Sequence, residues 1–126
     1  MPRISTPTKI TDRTFGFAIN VVEICQVLDL QPGVRRTLSR QLFRSGTSVG
    51  ANVEEAQAGQ SKADFISKCS IALKECRETA YWLRLLDACR LYHGEMLNPL
   101  RREADELCRI LATIVLRAKQ TKVKVS

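Results

Sequence analysis

Apolar residues recur along this chain with the 3.6-residue period of amphipathic helices, and turn signals divide the pattern into four stretches. In the first, Phe17, Val21, Ile24 and Leu28 fall on one line, flanked by Ala18, Val22 and Cys25. Thr11 is placed to cap this helix, with Asp12 in its first turn, and Pro32-Gly33 follows its end. The second stretch starts near Gly33 or Val34 and runs to about Gln57, with Leu38, Leu42, Val49, Val53 and Ala56 on its apolar side. Gly59 is the expected C-cap. Ser61-x-x-Asp64 resembles a capping box and opens a third helix from Lys62 to about Leu91. His93-Gly94 marks a turn, and Asn98-Pro99 reads as a cap with proline at the first helical position. The fourth helix carries Leu100, Ala104, Leu107, Leu111, Ile114 and Ala118. Four long helices with short connections predict an all-α fold, an antiparallel up-down-up-down four-helix bundle over residues 11–120. Residues 1–10 read as a flexible N-terminal tail and residues 121–126 as a basic C-terminal tail.

Two helices depart from a simple amphipathic design. The second contains Ser45, Gly46, Ser48, Gly50 and Ala51. Each glycine costs a helix interior about 1 kcal/mol relative to alanine, so the small residues imply close approach of another backbone. A polar line of Gln41, Ser45, Ser48, Asn52 and Glu55 runs beside the apolar one. Such a line can face water or an internal hydrogen-bonded network, and the small neighbours favour partial burial of Ser45, Ser48 and Asn52. The third helix is apolar over more than one face, which makes an intersubunit contact through Tyr81, Trp82 and Leu85 plausible alongside ordinary core packing.

Composition narrows the function. The chain has 126 residues, 44% of them hydrophobic, enough for one domain with its own core. It has no apolar run of membrane-spanning length and no signal peptide, so a cytoplasmic location without membrane association is expected. The five cysteines, Cys25, Cys69, Cys76, Cys89 and Cys108, lie in apolar helical patterns without a CxxC pair and read as reduced core thiols. His93 is the single histidine, and no glutamate is followed by the histidine of a Glu-x-x-His metal motif. No catalytic set, cofactor motif or metal site emerges, and an enzyme is not expected. The net charge of +7 favours a polyanionic partner. Arg36, Arg40 and Arg44 share a helix face, and Arg117, Lys119, Lys122 and Lys124 form a basic end to the fourth helix. Both sets could engage phosphates of RNA or DNA, or remain solvated charge.

The run from Ser39 to Leu86 carries a further pattern: Gln41-Leu42, Arg44, Ser48-Val49, Asn52-Val53, Glu55, then Phe65, Ala72-Leu73, Glu75 and Glu78. This resembles the four-helix-bundle proteins encoded in 23S ribosomal RNA intervening sequences, a family related to the accessory protein of diversity-generating retroelements. One departure is Glu54-Glu55-Ala56, where many relatives have Ala-Glu-Gly after the asparagine. The resemblance implies a homo-oligomer, a ring-like homopentamer, with a basic surface for nucleic acid. In the retroelement branch it also implies a reverse transcriptase partner. It gives Ser48, Asn52 and Glu55 an architectural part, holding helix two against helix three. The function expected is a non-enzymatic, oligomeric, nucleic-acid-associated bundle; a protein-interaction scaffold or accessory subunit without direct nucleic-acid binding is the alternative.

Overall fold

The computed structural model describes residues 9–125, with side chains through Thr121. It is a four-helix bundle: α1 (Ile10–Leu28), α2 (Val34–Gln57), α3 (Lys62–Ala88) and α4 (Leu97–Val125). Short connections make sequential helices antiparallel neighbours. α2 packs on α1 and α3, and α3 packs on α4. α4 closes the bundle against α1 over a sparser seam. There Arg13 grips Glu103 bidentately, with Nη2–Oε1 at 2.7 Å and Nε–Oε2 at 3.1 Å. No described helix is long and apolar enough to cross a membrane.

The core is aliphatic, as the periodicity requires. Phe17, Val21, Ile24 and Leu28 of α1 meet Leu42, Val49 and Val53 of α2, Leu83 and Leu86 of α3, and Leu100, Leu107 and Leu111 of α4. A smaller cluster of Ala56, Cys69 and Val115, with Phe65 and Ile114 beside it, fills the far end. Burying such side chains fully is worth about 1.5–3 kcal/mol each.

The close approach implied by the glycines occurs between α2 and α1. A Cβ on Gly46 would stand 2.8 Å from both γ carbons of Val21. One on Gly50 would stand 3.2 Å from the Thr14 carbonyl oxygen. Thr14 is buried and keeps its hydroxyl satisfied at the Ile10 carbonyl, 2.9 Å away.

Several helix ends differ from the sequence expectation. α1 begins at Ile10, with Lys9 rather than Thr11 as N-cap and no side-chain cap. The Arg13 N–H already bonds the Lys9 carbonyl at 3.0 Å, which puts Thr11 inside the first turn. α2 ends on Ala58 in a right-handed conformation, and Gly59 does not adopt positive φ. The missing side chain of Gly59 instead leaves room for the Asp64 carboxylate, 2.8 Å from where a Cβ would stand. The Ser61 hydroxyl caps α3 as expected, accepting from the Asp64 N–H at 3.1 Å.

α3 stops at Ala88, short of Leu91. Arg90 takes φ +55°, the Arg90 N–H bonds the Asp87 carbonyl (3.1 Å), and the Leu91 N–H bonds the Leu86 carbonyl (3.0 Å). This is a Schellman motif with arginine where glycine is usual, which is why no glycine announced it. α4 begins at Leu97, so Asn98 is helical and not the cap. Pro99 sits in the first turn, where its lack of an N–H costs no hydrogen bond. α4 also continues through Val125, so the segment expected as a C-terminal tail from 121 is helical to that point. The expected N-terminal tail lies largely outside the described residues.

Candidate nucleic-acid interface

The sequence proposed two basic clusters, and the up-down winding places them at opposite ends. Arg36 and Arg40 lie toward the start of α2, while Arg117 and Lys119 lie beyond Val115 of α4, which packs beside Ala56 near the end of α2. Twenty residues of helix separate Arg36 from Ala56, about 30 Å of rise. The two sets therefore do not form one surface. Arg117 and Lys119 are exposed, and the side chains of Lys122 and Lys124 lie outside the described residues.

The α2 cluster is also largely engaged within the chain. Arg36 donates to the Asp29 carbonyl at 3.0 Å and so caps the end of α1. Its neighbour Arg35 donates to the Leu91 carbonyl at 2.9 Å. Arg44 reaches across to α3, pairing with Glu78 and standing 3.5 Å from Glu75. Of the three arginines read as a phosphate comb, Arg40 alone has no ion pair or side-chain hydrogen bond among the described residues. The chain uses the other two for helix capping and helix–helix bridging, roles that i, i+4 spacing cannot distinguish from ligand binding.

The polar line of α2 is correspondingly reassigned. Asn52 donates to the Ser48 carbonyl and hydroxyl at 2.9 and 3.0 Å, a bond within α2. Glu55 is exposed and Gln41 half-buried. The bridge to α3 is made by the buried pair Thr79 and Ser45, whose hydroxyls hydrogen-bond at 3.0 Å, and by Arg44 with Glu75 and Glu78. One Glu75 carboxylate oxygen is buried without a hydrogen bond, so its interaction with Arg44 is ionic only. The Trp82 indole N–H donates to Glu78 at 3.1 Å and joins this network.

Among the residues expected at an intersubunit contact, Trp82 and Leu85 are half-buried and pack against the bundle's own core. Tyr81 is 49% exposed. Every helix leaves some large apolar side chain exposed, Phe43 on α2, Ile71 on α3 and Leu116 on α4 among them; on α1, Phe15 (64% exposed) and Ile19 (45%) are one turn apart, with half-buried Val22 next on the same face.

A basic feature that the sequence reading missed lies between α3 and α4. Arg77, Ala80, Tyr81 and Arg84 of α3 face Arg101 and Asp105 of α4 across an open groove of about 420 Å³. Arg77 and Arg84 have no ion-pair partner among the described residues. The Arg84 guanidinium lies over the Tyr81 ring, 5.5 Å from its centroid, and Tyr81 stands edge-on to Trp82 at 5.2 Å. Arg101 is held by Asp87 at 2.9 Å. Three guanidinium groups thus face one lining carboxylate. Planar guanidinium forks match phosphate oxygens, and a tyrosine face holds one of them in place. The signal was present as Arg77, Tyr81 and Arg84 at i, i+4, i+7, but Arg101 belongs to the site only because α4 lies beside α3. Among the described residues no three His, Cys, Asp or Glu side chains gather as a metal site.

No curated protein matches the chain. It is similar to a crystal structure of a protein of unknown function from the S23 ribosomal protein family of Bacteroides thetaiotaomicron. The TM-score is 0.77 and the identity 38%, over 85% of this chain and 98% of that one. Four helices in this order, the Gln41-to-Glu78 pattern and a match over residues 7–113 agree, and the chain belongs to the 23S rRNA-intervening sequence protein family.

Proposed function

We propose that this protein is a non-enzymatic, self-associating bundle that binds nucleic-acid phosphates through the α3–α4 groove. The carrying observation is the convergence on one groove of Arg77 and Arg84, without ion-pair partners among the described residues, with the Asp87-paired Arg101, beside the carboxylate of Asp105. The net charge of +7 supports the same reading by drawing polyanions to the surface. Arg40 and the exposed end of α4 add longer-range attraction rather than a second built site. The family description makes an RNA probe the first to try.

Fluorescence anisotropy with a labelled RNA hairpin and a DNA duplex of equal length tests this. Binding should weaken steeply with salt, because each neutralised phosphate releases counterions. The double variant Arg77→Glu/Arg84→Glu should lose at least tenfold in affinity and show a shallower salt dependence. Both residues are exposed, so the variant should keep the parent's helical signal. Absence of binding by the parent at micromolar protein and low salt would sink the proposal.

A second reading, protein-interaction scaffold or accessory subunit, is favoured by the uncovered Phe15–Ile19 face of α1. Self-association, as the pentamer implied by the family resemblance, would cover that face in the protein's own assembly.

A further inference from the structure

Cys76 of α3 and Cys108 of α4 carry chemistry that neither core packing nor phosphate binding uses. Cys76 is fully buried, and its thiol donates to the Ala104 carbonyl at 3.4 Å. Ala104 lies one helical turn before Cys108, so its carbonyl points along α4 toward that residue. The Cys76 thiol therefore reaches the turn of α4 that carries Cys108, close enough for each thiol to shift the pKa of the other. Ala80 follows Cys76 by one turn as Cys108 follows Ala104, so both helices present small side chains here and can draw close. Cys108 is only half-buried, with Arg77 and Arg109 near its sulfur and Asp105 as the opposing charge.

The other three thiols lack such a partner. Cys25 donates to the Ser39 carbonyl at 3.4 Å. Cys69 is enclosed in the smaller apolar cluster. Cys89 is exposed after the end of α3.

We propose that Cys76 and Cys108 form a peroxide-sensitive dithiol site, oxidised to an intramolecular disulfide that joins α3 to α4. The Cys108 thiolate attacks one oxygen of hydrogen peroxide; an S–O bond forms, the O–O bond breaks, and hydroxide leaves to be protonated to water. Cys76 then gives up its proton and attacks the Cys108 sulfenic acid. The S–S bond forms, the S–O bond breaks, and a second water leaves. Two thiols lose two electrons and the peroxide gains them.

The roles follow from the surroundings. The neighbouring Cys76 thiol, which can turn its proton toward a Cys108 thiolate, holds the Cys108 thiol below its ordinary range against the opposing effect of burial, and Arg77 and Arg109 add to this; the attacking thiolate is favoured. The same interaction with Cys108, together with burial, pushes the Cys76 thiol up, which suits a resolving thiol that stays protonated until the sulfenic acid forms. Access alone would instead select Cys89.

The test is peptide mapping of the purified protein after treatment with hydrogen peroxide under chelator, with free thiols alkylated before digestion. The expected product is a linked peptide pair containing Cys76 and Cys108, the loss of two of the five thiols, and a thermal midpoint that rises and falls back on reduction. Cys108→Ser should abolish the linked pair, whereas Cys89→Ser should leave it intact. Recovery of Cys76 and Cys108 as alkylated thiols while Cys89 is oxidised would overturn the proposal. So would Cys108 overoxidised to sulfinic acid beside a free Cys76.

Discussion

Gly46 shows how one missing side chain sets a helix–helix distance. Its place is taken by the two methyl groups of Val21, a buried β-branched residue with no freedom to turn aside. Gly46→Ala gains about 1 kcal/mol of helix propensity yet forces overpacking that costs about 1–3 kcal/mol. It should therefore destabilise, and Gly46→Leu should do so further. Gly16 of α1 is the control, because a Cβ there meets nothing within 4 Å. Gly16→Ala should stabilise by about 0.5–1 kcal/mol through propensity and reduced unfolded-state freedom. Urea midpoints of the two alanine variants check this, and equal shifts in the same direction would refute the close-packing argument. The sequence made the need for small residues at Gly46 and Gly50 legible. It did not show that their partner is α1, because a small residue records only that something comes near.

At the scale of elements, the four helices were legible because each carries an uninterrupted apolar line. Their ends were less so. Thr11, Gly59 and Asn98 have the right chemistry for caps, yet the helices start or stop one to two residues away from each, with Lys9 preceding α1 without a side-chain cap and the Ala58 N–H closing α2 on the Glu54 carbonyl. The α3 terminus is the instructive case, because Arg90 occupies the left-handed position of a Schellman motif. A non-glycine residue there costs about 1–2 kcal/mol in backbone strain. Arg90→Gly should relieve that strain and stabilise the protein by about 0.5–1 kcal/mol after glycine's greater unfolded-state entropy is counted. Chemical denaturation checks the sign; an unchanged or lowered stability would mean the Arg90 side chain contributes more than its conformation costs.

The whole molecule decides which charges can cooperate. Antiparallel winding sends the basic end of α4 away from the start of α2, so two clusters that look additive in sequence are separate. The same winding lays Arg101 beside Arg77 and Arg84, which sequence spacing could not relate. The surface also leaves Phe15 and Ile19 uncovered on α1. If these residues are covered by self-association, Phe15→Glu/Ile19→Glu should shift the light-scattering mass toward the 14.2 kDa chain while retaining the helical signal. A parent protein that is already a monomer at all concentrations, or a variant of unchanged assembled mass, would count against that face. Because Trp82 and Leu85 serve the core, their truncation should instead lower stability before it alters assembly.

By itself the sequence determined the helices, their apolar faces, the tight residues of α2 and the family pattern. Each of these is recorded locally, in periodicity and residue size, within a few turns of chain. The tertiary structure alone decided which helix meets Gly46, which arginines are bound internally, where Arg77 and Arg84 meet Arg101, and that Cys76 lies at the turn of α4 that carries Cys108. Those outcomes depend on pairs of residues tens of positions apart, brought together by packing that no single helix encodes.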